Sequence, residues 1–392
     1  MDKHVILLAL AVIFLFHGCK GKHESNNSAQ SVNIKLDLQK EMKSIHDIDL
    51  IKEVEIVNLD CDEVIIGNID KVIRFDSILY LMDKSQNNGV YIFDVDGNYI
   101  STIFNHGNGP EDYLQLTDIF IDPEDSTLNV LSRIDNKLFK YDLKGEKLLS
   151  LKKTPKSFTS MQKTPTGYMG YMSNWIQDPN APFNVWLMNK KLEITRHYFE
   201  IDNISQNRSH ADGYAFSKYC NTFYYITPVD YHIYVIGNGN TEERCQYDLG
   251  NYQISDNLKA EMLNDERRRE LVNRYVHRFY NFQETKQHLV VHFIFQGQNL
   301  VAVYNKETKS AEVVKLSPYE GKYFIPFGEI IGFDQETIYT TIEASNLKRI
   351  WDGKDAHNNF EEKYPTQISN MRKKIKSIRE DGNPFLVLYS IN

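Results

Sequence analysis

Val90-Tyr91-Ile92-Phe93-Asp94-Val95-Asp96-Gly97-Asn98-Tyr99-Ile100 aligns without a gap on Leu138-Phe139-Lys140-Tyr141-Asp142-Leu143-Lys144-Gly145-Glu146-Lys147-Leu148, 48 residues further on. Each segment is a β-branched or aromatic run, an Asp-x-x-Gly step and a second apolar start, the pattern of two strands joined by a tight turn. Glycine suits the end of that turn because it enters positive φ without steric cost. The preceding runs match too, Leu79-Tyr80-Leu81 on Leu128-Asn129-Val130. The unit therefore reads strand, loop, strand, turn, strand.

Weaker copies follow at Asn184 to Ile201, Phe223 to Gly250 and His288 to Leu316, and Glu336 to Trp351 starts another. With Val64 to Ile103 this makes six units, at about 57 residues each. Propeller blades run about 40–50 residues, and two insertions account for the excess. Asp256 to Phe282 reads as a helix from Leu258, Met262, Leu271, Tyr275 and Phe279, with Asp256 as its N-cap. The second, Gln367 to Glu380, is basic. The expectation is an all-β chain, a six-bladed β-propeller over residues 51–392 with two helical insertions. Glu53 to Asp60 alternates apolar and polar, while Phe385 to Tyr389 is almost wholly apolar. Neither has a neighbouring hairpin partner, so the two are expected to pair and close the ring.

The segment His106-Gly-Asn-Gly-Pro-Glu-Asp-Tyr113, followed by Asp118-Ile-Phe-Ile-Asp122, resembles the NHL-type repeat. Met1 to His4 precedes twelve apolar residues, Val5 to Phe16, too few for a bilayer-spanning helix of about 20. This is a signal-peptide pattern. Leu15-Phe16-His17-Gly18-Cys19 resembles the lipobox of bacterial lipoproteins, which implies a signal peptide over 1–18 and a lipid on Cys19. With the ending Asp381-Gly-Asn-Pro-Phe-Leu-Val-Leu-Tyr389, the chain resembles the six-bladed β-propeller lipoproteins of the Bacteroides type. That resemblance implies architecture more than activity. Residues 19–50 read as a lipid-anchored tether, since Lys20 to Ser31 has one alanine and no other apolar residue. Surface-exported lipoproteins of Bacteroidetes tend to carry acidic residues behind the cysteine. Lys20, Gly21, Lys22 and His23 stand there instead, which points to the periplasm-facing side of the envelope.

Composition narrows the function classes. The 392 residues carry 45 Lys+Arg against 53 Asp+Glu, a net charge of −8, which argues against a nucleic-acid partner. Apart from Cys19 there remain Cys61, Cys220 and Cys245, which allow one disulfide at most within the chain and read as small hydrophobic fillers. No Gly-x-Ser-x-Gly elbow, His-Glu-x-x-His helix, phosphate loop or dinucleotide fingerprint is present. No catalytic residue, metal site or cofactor is therefore assigned. His288 and His292 would share a metal on a helix, but on a strand four residues span about 13 Å. The intervening Leu289-Val290-Val291 reads as strand.

The best local candidates for a binding surface are His106, Glu111, Asp112 and Tyr113 of the glycine-rich loop, and Trp175. They supply titratable groups and aromatic faces for a glycan, peptide or protein ligand. The favoured reading is a binding module anchored to the membrane. Its rival is a propeller enzyme, a metal-dependent hydrolase, lactonase or lyase with its site at the central channel.

Overall fold

Both Asp-x-x-Gly steps are hairpin turns held by their own aspartate. Asp94 Oδ1 accepts from the N–H groups of Asp96 (2.9 Å) and Asn98 (2.8 Å), and Gly97 takes φ of +90°. Asp142 Oδ1 accepts from Glu146 (2.9 Å) and Lys147 (3.2 Å), with Gly145 at φ +68°. A Cβ on Gly97 would lie 2.0 Å from Asn58 O, so the missing side chain also lets this turn rest on a neighbouring strand.

The computed structural model describes residues 31–59, 61–202, 214–227, 230–237, 239–262, 264–316, 325, 327–352 and 379–392. They form six sheets, each built on four antiparallel strands that begin with an inner strand and proceed outward. Blade one is Lys71–Phe75, Ile78–Asp83, Gly89–Asp94 and Tyr99–Ile103. Blade two is Asp118–Asp122, Thr127–Ser132, Lys137–Asp142 and Leu148–Lys153. Blades three, four and five start at the inner strands Ser160–Thr164, Phe216–Tyr219 and Phe279–Glu284. Blade six is Ile330–Asp334, Thr337–Ile342, Phe385–Ile391 and, from the other end of the chain, Ile51–Asn58.

The expected closure is present. Phe385 lies opposite Asn58, Tyr389 opposite Val54 and Ile391 opposite Ile51. Six apolar clusters sit between successive blades and bind them into a ring. Tyr339 and Leu386 of blade six pack with Leu79 and Phe93 of blade one. Phe120 and Leu138 of blade two pack with Met161 and Trp186 of blade three, and the other four junctions are built alike. Such sandwiching explains why the second and third strands are buried on both faces, as in Ile78–Asp83 and Thr127–Ser132.

Several expectations change. The propeller unit begins at Ser31, not at residue 51. Val32–Lys35 adds a parallel fifth strand to blade four, Val32 opposite Cys245, and Lys43–Ser44 does the same on blade five. Ile34, Leu36, Leu38, Ile45 and Leu50 are buried there, so the second half of the expected tether is propeller wall. The helix expected over 256–282 is two helices, Asp256–Glu261 and Asp265–Arg274, and Phe279 already belongs to the inner strand of blade five. Ser255, not Asp256, is the N-cap position of the first. Asn264 interrupts the run because its side chain caps the second helix, accepting from Glu266 and Arg267 N–H. Residues 344–350, read as part of a strand unit, are the start of the helix Ala344–Asp352. The signal peptide, Cys19 and the basic insertion up to residue 378 lie outside the described residues. No two of Cys61, Cys220 and Cys245 are bridged.

Candidate functional site

All six inner strands run the same way along the channel and leave it through a hairpin. Their ends therefore meet on one face. The penultimate residues of the six strands, Arg74, Ile121, Lys163, Lys218, Gln283 and Phe333, all line a recess of about 540 Å³ at the mouth of the channel. Turn residues Glu124, Pro165, Asn221 and Gln335 complete its rim.

The floor is Tyr214. It enters from the connection between blades three and four, yet its hydroxyl donates to Asp70 O at 3.0 Å and to Ile331 O, at the junction of blades one and six. The side chain thus crosses the channel. Its N–H donates to Asn281 Oδ1 at 2.8 Å, which ties the floor to blade five as well. Burial pushes its phenol well above the ordinary tyrosine range, so it stays neutral and acts as a hydrogen-bond donor. Lys71 holds the wall beside it, paired with Asp118 at 2.6 Å and bonded to Ile119 O at 2.8 Å.

The cations of the rim differ in how they are balanced. Lys163 is held between Asp122 (2.9 Å) and Glu124 (2.7 Å), and these contacts raise it despite burial. Hydrogen bonds from Lys163 and Lys190 lower Glu124 to about 2. Arg74 Nε donates to Asp76 O at 3.3 Å, and its charge partly offsets the burial that pushes Asp334 up. Lys218 has no carboxylate partner among the described residues. Its side chain is open to solvent, its ammonium lies 5.3 Å from the centre of the Phe223 ring, and partial burial among the recess walls pushes it below the ordinary lysine range. Behind the rim, Glu284 forms a two-pronged pair with Arg244 (2.8 and 2.9 Å) and a third contact with Lys306 (3.0 Å). Burial pushes that carboxyl up, but the three cationic contacts outweigh it and hold it low.

The candidates named from sequence stand elsewhere. The connection 104–117 and the loop 172–182 leave outer and second strands, which places them on the face opposite the recess. His106 and Glu111 are exposed there. Asp112 is turned into its own loop, Oδ2 accepting from Gly109 N–H at 2.7 Å. Tyr113 is fully buried, edge-on to Phe139, with its hydroxyl donating to Asn88 O at 2.7 Å. It has no face left for a ligand, which corrects its expected role. Trp175 is half exposed, with the Arg133 guanidinium 5.3 Å above its ring. Exposed Ile65, Phe104, Leu114 and Ile134 share that far face.

The recess residues escaped sequence reading because they come from six separate strands. One signal was available. Once the blades are aligned, Arg74, Lys163 and Lys218 fall at the same position, one residue before the strand end.

His288 and His292 lie on the strand His288–Phe295, both buried. His288 Nδ1 bonds Asn392 O at 2.9 Å, while burial lowers His292 to about 3. Among the described residues no group of three or more His, Cys, Asp or Glu is placed to hold a metal ion.

A family model described as "Domain of unknown function (DUF4934)" matches residues 29–390. The chain belongs to the DUF4934 family. No curated protein matches. Among solved structures, a Bacteroides fragilis protein described as exported is similar over 92% of this chain and 99% of its own, at 16% identity and a TM-score of 0.71. A DUF4221-family member from Bacteroides vulgatus is similar over 88% and 98%, at 13% identity and a TM-score of 0.52. At such identities the likeness to these two structures speaks for the fold alone, and this DUF4934 chain shares it.

Proposed function

We propose that this protein is an exported binding module of the cell envelope, lipid-anchored through Cys19 on the periplasm-facing side, which takes a glycan, peptide or protein segment into the channel recess. The observation that carries it is the recess, about 540 Å³, floored by Tyr214 and rimmed by hydrogen-bonding side chains. Its size is that of small-ligand pockets, and aromatic side chains such as Phe120, Phe216 and Phe333 stand among the charged and polar groups that line it. Export is supported by the apolar run Val5 to Phe16 and by the description of the Bacteroides fragilis neighbour. We read the first two blades as NHL-type repeats, on the loop that joins Tyr99–Ile103 to Asp118–Asp122.

Asn221 stands exposed on the rim, and Asn221→Trp would fill the opening. Parent and variant are incubated with envelope extract, desalted, denatured and examined for released molecules by mass spectrometry. A species retained by the parent and absent from the variant is expected. Identical profiles sink the recess as the binding site. The anchor has its own test: detergent-phase partitioning should be lost in Cys19→Ala, and a variant that partitions like the parent rules the lipid out.

The rival enzyme has one arrangement in its favour: a carboxyl, Asp334, and an amine, Lys218, line the same recess. Asp334 is pushed up and Lys218 pushed down within one recess, the way acid–base pairs are tuned. A retained species that is chemically converted by the parent, but not by Asp334→Asn, would select that reading.

A further inference from the structure

Resting on the recess as the binding site, we infer that its ligand carries an oxyanion, seated on Lys218 with Arg74 facing it across the channel.

Lys218 and Arg74 occupy equivalent positions on the inner strands of blades four and one. In a ring of six, those blades are diametrically opposed, so the two cations face each other over the recess both of them line. The third cation at that level, Lys163, is already spent on Asp122 and Glu124. Lys71, nearer the floor, is spent on Asp118. Arg74 acts on Asp334, but no carboxylate lies within ion-pair distance of it or of Lys218 among the described residues. Lys218 has solvent from the recess on one side and the Phe223 ring on the other. The ammonium is open to the recess, so an anionic group entering there meets its three N–H donors and gains charge-assisted hydrogen bonds. The rim supplies neutral donors around this pair, among them Asn221 and Gln335. A ligand with one or two anionic groups and a polar body therefore suits the recess better than a neutral one. Carboxylate, sulfate and phosphate share the chemistry, and experiment separates them.

Lysines of the protein are reductively methylated with ¹³C, and their signals followed by NMR at constant ionic strength. The Lys218 signal is the one missing from Lys218→Gln. Citrate, sulfate and phosphate are added in turn, with the exposed outer-strand Lys152 as internal control. The Lys218 signal is expected to move saturably with at least one anion, and its titration midpoint to rise in the bound state. The anion that saturates at the lowest concentration identifies the source. Arg74→Gln should weaken that binding about tenfold, and Lys218→Arg should retain it. The proposal is overturned if no anion moves Lys218, or if Lys218 and Lys152 shift alike without saturation. A native ligand lost from Asn221→Trp but kept by Lys218→Gln would leave the recess reading standing and remove this one.

Discussion

At the scale of residues, what holds the site differs from what a local pattern can reveal. Tyr113 stood out because it follows a glycine-rich loop, yet its ring is inter-blade core. Tyr214, which floors the recess, has no local signature, because its partners Asp70 and Ile331 lie more than a hundred residues away on either side. His292 carries the clearest pH consequence. Burial lowers it to about 3, with no charged group among the causes, while an unfolded histidine titrates near 6.5. Below about pH 6.5 the unfolded chain therefore takes up a proton that the folded state refuses. Stability is fully present above that pH and is lost as pH falls toward 3, at about 1.4 kcal/mol per unit. Urea unfolding of the parent at pH 5 should give a free energy about 2 kcal/mol below that at pH 6.5. In His292→Phe the loss over this window should shrink to a small remainder. Equal slopes in parent and variant would show that the histidine does not titrate on unfolding.

At the scale of elements, the repeat was legible and the exceptions were not. The 48-residue offset placed both Asp-x-x-Gly turns correctly, because a turn is specified by residues in direct sequence contact. Val32-Asn33-Ile34-Lys35-Leu36-Asp37-Leu38 also alternates, and alternation alone would have given a strand there. The polar stretch before it masked that signal, and its partner strand, Thr241–Asp248, is two hundred residues off. The helix break near Asn264 was hidden for the opposite reason, since the apolar spacing continues through it while the cap does not show in periodicity. Two glycines separate the local and tertiary demands on a turn. Gly297 has φ of +72° and open space around its Cβ position, whereas Gly97 has φ of +90° and Asn58 O at 2.0 Å. Gly297→Ala should lose about 1–2 kcal/mol from the left-handed backbone alone. Gly97→Ala should lose more than that, because blade one must also move away from Ile51–Asn58. Urea midpoints measured on both variants test the ranking. If Gly97→Ala is no worse than Gly297→Ala, the turn does not bear on blade six.

At the scale of the whole molecule, the ring stands or falls with one strand. Phe385–Ile391 is the third strand of blade six, hydrogen-bonded to Thr337–Ile342 on one side and Ile51–Asn58 on the other. Its alternate side chains serve two junctions. Phe385, Val387, Tyr389 and Ile391 pack toward blade five, and Leu386 and Leu388 toward blade one. At about 1.5–3 kcal/mol for each large side chain buried, the six together contribute on the order of 9–18 kcal/mol. That matches or exceeds the total stability of about 5–15 kcal/mol typical of a domain. Removing the strand also leaves Ile51–Asn58 and Thr337–Ile342 with unpaired edges, open to pairing between molecules. A chain ending at Asn383 should therefore show no cooperative melt and should aggregate. A chain lacking residues 20–30 should melt like the parent, because the propeller unit begins at Ser31. A third, lacking residues 20–45, loses buried Ile34, Leu36, Leu38 and Ile45 and should melt below the parent, but cooperatively. The three melts separate closure from edge decoration. Closure is refuted if the chain ending at Asn383 unfolds cooperatively within a few degrees of the parent, and the wall role of residues 32–45 is refuted if the third chain melts with the second.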